Sequence, residues 1–121
     1  MTVTPHGGKY DVFWVTIPNG ASVAPVANLD GFSLVGIEMP AAWTAASLTF
    51  QAAASSDANV QNMYDATGTE YTVTAAAARY IQLPPADFIG VQFLIVRSGT
   101  SGTPVAQGAD RVIGLVCRPL Q

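Results

Sequence analysis

The sequence predicts an all-β protein, a single-domain β-sandwich of about eight short strands with a jelly roll as the leading topology. Three observations carry this. Apolar residues either alternate with polar ones or run in short blocks, Gly, Pro, Asn and Asp clusters punctuate the chain at near-regular spacing, and no segment sustains a helical period. A length of 121 residues suits one hydrophobic core. Residues 11–121 are expected to form the sandwich and residues 1–10 a flexible N-terminal arm.

The first strand is expected at Asp11 to Ile17, with Phe13, Val15 and Ile17 on one face and Val12, Trp14 and Thr16 on the other, ending at the turn Pro18-Asn19-Gly20. Trp14 is assigned to the core. Ala21 to Asn28 contains Pro25, which cannot donate to a ladder, so it reads as an edge strand or extended connection. Asp30-Gly31 turns the chain into a strand from Phe32 to Met39. Pro40 to Thr44 is a connection, and its Trp43 is expected to be exposed or interfacial. From Ser47 to Ala53 the alternation is clean, with Leu48, Phe50 and Ala52 facing in and Thr49, Gln51 and Ala53 facing out.

A short strand follows at Val60 to Tyr64, with Tyr64 half-buried, and a turn at Asp65-Ala66-Thr67-Gly68 leads to Tyr71 and Val73 facing in, completing a hairpin. Ala75 to Ala78 is too short for an independent helix, which needs roughly 12 residues, and reads as a bend. Tyr80 to Leu83 is a strand stopped by Pro84-Pro85, and Ala86 to Gly90 a single helical turn. Val91 to Ser98 and Arg111 to Arg118 are apolar on both faces and are expected to be buried strands, joined through the hydroxyl-rich, flexible loop Ser98 to Pro104.

Composition narrows the chemistry. Charged residues make up 11% of the chain, about half the usual share, so Thr, Ser, Gln, Asn and Ala must cover the surface. Such an exterior can lie against another protein at little desolvation cost. Five scattered basic residues and a net charge of −3 give no stripe for phosphates, so nucleic acid is excluded as a partner. No apolar run approaches the roughly 18 residues of a membrane span, and the first nine residues lack the pattern of a signal peptide. Synthesis and use without export by that route is therefore expected, and no membrane partner.

Catalytic signals are weak. The sole histidine, His6, lies in the Gly-flanked arm, and the sole cysteine, Cys117, sits in an apolar strand where a buried thiol is expected. Asp65-Ala66-Thr67-Gly68-Thr69-Glu70 has oxygens suited to Ca²⁺ but lacks the length and alternation of a calcium loop, and reads as a hairpin turn. The expectation is a protein that is not an enzyme, with no cofactor and no metal. Trp14, Trp43, Tyr64 and Tyr71 are candidates for a sugar-stacking face. His6, Lys9 and Trp43 are the candidate interface residues.

Three stretches taken together carry a resemblance: Leu34-Val35-Gly36-Ile37-Glu38-Met39-Pro40-Ala41-Ala42-Trp43-Thr44-Ala45-Ala46-Ser47-Leu48-Thr49-Phe50-Gln51, then Met63 to Glu70, then Arg97 to Val105. Over residues 12 to 118 the chain resembles a family of small structural proteins encoded by tailed phages and prophages. The resemblance implies a virion component made in the host cytoplasm, and no catalytic residue. The leading expectation is a capsid decoration (cement) protein on the head surface, with the major capsid protein, copies of itself (as in a trimer), or both as partners. A tail, fibre or head-spike module that assembles the adsorption apparatus or binds host glycan is the alternative, and a hydrolase of cell-wall or capsule sugar the third.

Overall fold

The computed structural model describes residues 10–120. The arm at residues 1–10, with His6 and Lys9, therefore lies outside the described residues except for Tyr10. Eight strands follow one another: β1 (Asp11–Ile17), β2 (Ala27–Asn28), β3 (Phe32–Glu38), β4 (Leu48–Ala53), β5 (Gln61–Asn62), β6 (Tyr80–Gln82), β7 (Phe93–Ser98) and β8 (Arg111–Pro119). They form two four-stranded sheets ordered β1-β8-β3-β6 and β2-β7-β4-β5, with all pairings antiparallel. Within these orders β1 lies beside β8, β2 beside β7, β3 beside β6 and β4 beside β5. That is one long hairpin, bent at the 3₁₀ turn Asp57–Asn59 and rolled until β8 meets β3 and β7 meets β4. The fold is a jelly roll.

Local chemistry explains the corners. Asp30 and Gly31 both adopt positive φ, 37° and 85°, and the Phe32 amide donates to the Leu29 carbonyl at 3.0 Å, closing a two-residue primed turn. Pro25 confines its segment as expected: only Ala27–Asn28 pairs as a strand, with a single bridge from Val23 to Arg97. The four alanines form a bend in which Ala78 takes φ 57°. The helical turn is 3₁₀ and spans Pro85–Phe88. Glu70 bridges Tyr64, the Tyr71 amide donates to the Met63 carbonyl and Val73 bridges Leu48, which is not a continuous strand.

The inward faces meet in one core. Ile17, Leu34, Ile37, Ile113, Leu115 and Cys117 come from the first sheet, and Leu48, Phe50, Leu94 and Val96 from the second. Phe88, carried on the 3₁₀ turn, packs edge-on against Phe50 at 5.5 Å and Tyr71 at 5.3 Å between ring centres. The Tyr71 hydroxyl donates to Asp87 Oδ2 at 2.5 Å. Burial first, and that carboxylate second, push the phenol well above its ordinary range. Between β7 and β8 the buried Gln107 amide donates to Ser98 Oγ at 2.7 Å and to the Thr44 carbonyl at 3.0 Å. Its Oε1 accepts from the Thr44 amide and the Arg111 guanidinium. One side chain thus ties the β7–β8 connection to the β3–β4 connection and to the facing ends of β7 and β8.

Two aromatic expectations need correction. Trp14 is 59% exposed, because it projects from the outer face of β1, opposite the Phe13, Val15 and Ile17 face that enters the core. Tyr64 is 53% exposed at the end of its hairpin and not half-buried.

Replacing Phe50 with Ala should lower unfolding free energy by about 3–5 kcal/mol, measured by urea denaturation, since it empties the centre of the aromatic triad. Burial, with the Asp11 charge second, raises the Cys117 thiol from 9.0 to about 12. The neutral thiol therefore favours the fold fully below about pH 9, and that contribution fades as pH rises towards 12. Iodoacetamide at pH 8 should leave native Cys117 untouched and label it in urea; labelling at the free-thiol rate in the native protein would contradict this burial.

Candidate functional site

The two outer faces of the sandwich differ in chemistry, and each is a candidate surface. On the second sheet the alternation of β4 and β7 turns Thr49, Gln51 and Ala53 and Phe93, Ile95 and Arg97 outward. Gln51 pairs with Ile95, Ala53 with Phe93, and Asn28 of β2 also with Phe93. Val23 and Val26, each 39% exposed, lie in the connection leading to β2.

One basic group sits at the end of this face. Arg97 is buried although it points outward, because neighbours cover it: Nε donates to Thr49 Oγ1, Nη1 to Asn62 Oδ1 and Nη2 to Glu70 Oε2, each at 2.9 Å. Thr49 Oγ1 in turn donates to the Gly99 carbonyl at 2.6 Å. The Ser101 amide donates to the same Glu70 carboxylate at 3.0 Å. The ion pair therefore ties the 99–104 loop, expected to be flexible, to the 65–70 turn. It also explains why Thr49, facing out as expected, is fully buried. The result is a face on which the Arg97 charge is neutralised internally by Glu70.

The Asp65 turn uses its carboxylate locally. Oδ1 accepts from the Thr67 amide, the Thr67 hydroxyl and the Thr69 amide, and these bonds, the hydroxyl first, hold the carboxyl below its usual range. Glu70 is committed to Arg97. Among the described residues no three His, Cys, Asp or Glu side chains cluster as metal ligands would.

The outer face of the first sheet is aromatic. Trp14 pairs with Gly114, Gly114 with Glu38, and Glu38 with Tyr80, which makes one row across all four strands. A Cβ built on Gly114 would lie 2.8 Å from the Trp14 ring, and one on Gly36 would collide with the Tyr80 ring. Each ring occupies the place of a missing side chain and rests on the sheet. Further along, the Arg118 guanidinium stacks 5.4 Å from the centre of the Tyr10 ring. Between Tyr80 and Tyr10 lies a trough of about 490 Å³ with Val35 and Val116 on its lining.

Of the residues selected from sequence, Trp43 is half-buried against the core and donates Nε1 to the Ala46 carbonyl at 3.0 Å. It belongs to neither face. Tyr71 is committed to the core side. Reasoning from sequence missed Tyr80, Glu38 and Gly114 as neighbours because the pairing of strands distant in sequence brings them together. The available signal was two glycines inside apolar strands, which mark close approaches. Comparison of the chain with protein families, curated proteins and solved structures gives no match.

Changing Glu70 to Ala removes a partly buried charged partner and should cost about 1.5–3 kcal/mol in urea denaturation. Amide exchange of the 99–104 loop should accelerate in the same variant. Unchanged exchange there would show that the loop is held by its own backbone.

Proposed function

We propose that this chain is a non-catalytic structural protein of a phage particle, a capsid decoration protein that bridges major capsid subunits on the head surface. The observation that carries the reading is the outer face of the second sheet. Its Arg97–Glu70 ion pair is internally satisfied, and partly exposed Phe93 and Ile95 lie beside uncharged Asn28, Ala53 and Gln51. Docking this face desolvates little unpaired charge. The expectation drawn from the sequence over residues 12 to 118 points the same way.

Rigidity supports it as well. A bridging subunit resists outward pressure only if its own loops do not yield, and the Arg97 and Gln107 networks hold the long connections to the sheets. Weak docking by one copy becomes firm when copies associate with one another or with a repeating lattice.

Purified particles should contain the protein in tens to hundreds of copies on the head, and heads lacking it should rupture at lower temperature. Ile95→Glu should keep the fold, judged by its melting profile, and bind stripped heads at least roughly tenfold more weakly. A few copies confined to the tail would replace this reading with that of a tail or fibre module.

A further inference from the structure

Docking through the second sheet leaves the aromatic trough of the first sheet facing away from the shell, and its groups form a set of their own. Trp14 and Tyr80 are 59% and 55% exposed, although the edge of each ring is seated over a glycine. Large rings held against a sheet by missing side chains are pre-oriented platforms, with little freedom left to lose on binding. Glu38 lies between them in the row, Gln82 follows on β6, and Arg118 stands at the far end. From Gly114, under the Trp14 ring, to Arg118 this face runs about 13 Å along β8, at roughly 3.3 Å per residue, and the trough takes the part beside Val116 and Arg118.

We propose that this trough, together with the Trp14 ring that adjoins it across Glu38 without lining it, is a binding site for a short oligosaccharide of neutral pyranose units. Pyranoses present apolar C–H faces and a rim of hydroxyls, which ask for flat aromatic rings flanked by planar groups able to donate and accept. Tyr80 and Trp14 supply the rings. The Glu38 carboxylate accepts from sugar hydroxyls, the Gln82 amide does both, and the Arg118 guanidinium donates. Glu38 beside the rings disfavours acidic sugars. An extended peptide fits less well, because the trough is floored on β3 and β8, strands already paired on both sides, so it offers no open backbone edge. The volume of about 490 Å³ lies within the range of small-molecule sites.

The proposal is independent of head decoration, since free protein is enough to measure it. Purified protein is screened on an array of neutral and sialylated glycans and titrated with malto-, cello- and chitohexaose by calorimetry. Saturable binding to at least one neutral glycan is expected. Trp14→Ala and Tyr80→Ala should each weaken it roughly tenfold or more, while Trp14→Phe, which keeps a ring over Gly114, should retain most of it. Trp43→Ala should leave the affinity unchanged in the folded fraction, because its ring lies away from the trough. Absence of any neutral glycan binding at millimolar concentration, preference for sialylated glycans, or equal binding by the Trp14→Ala/Tyr80→Ala double variant would overturn the proposal.

Discussion

Everything in this molecule hangs on β8, which must enter between β1 and β3 before the first sheet is complete. Seven residue pairs join it to β1 and six to β3, and its inward residues Ile113, Leu115 and Cys117 have no exposed surface. Until it docks, β1 has no neighbour and the core lacks one side. The strands it joins lie about 80 and 100 residues away in the chain, so the loop-closure cost falls before the reward of burial. A jelly roll of this kind is therefore stabilised as a unit, with little that folds alone.

A second constraint is electrostatic. The chain carries few charges, yet it buries one of its five basic residues at Arg97. Leaving a guanidinium under cover without partners would be costly, and each of its three donor groups finds an acceptor from a different segment. The pairing geometry thus converts a liability into the fastening between β4, β5, the hairpin turn and the 99–104 loop. The same arrangement removes charge from the face proposed to meet the shell.

Much of the fold was legible because strand alternation is a local signal. Phe13, Val15 and Ile17, or Leu48 and Phe50, announce their inward face through spacing alone, and Pro18-Asn19-Gly20 and Asp30-Gly31 announce their turns. What alternation leaves undecided is which of the two faces looks inward when both are apolar. Trp14 was assigned to the core on hydrophobicity, whereas its neighbours Phe13 and Val15 claim that side and leave the larger ring outside. Thr49 shows the opposite case, an outward residue that is buried because a long-range partner covers it. The aromatic row of the first sheet was illegible for the same reason: Trp14, Gly114, Glu38 and Tyr80 come from four strands, and only the register aligns them.

The seating of Trp14 over Gly114, and of Tyr80 over Gly36, links positions that are far apart in the chain. A glycine inside a strand is usually a weakness of about 0.5–1 kcal/mol, but here the ring above it fills the space and shields the backbone. Ring and glycine are consequently alternatives to any other residue pair, and they can be exchanged only in a certain order. A side chain added at 114 first would lift the indole off the sheet, whereas shrinking residue 14 first opens room for it. Descendants of this sequence would be expected to lose the two together or keep both, so that the history of the surface is written as paired changes on neighbouring strands.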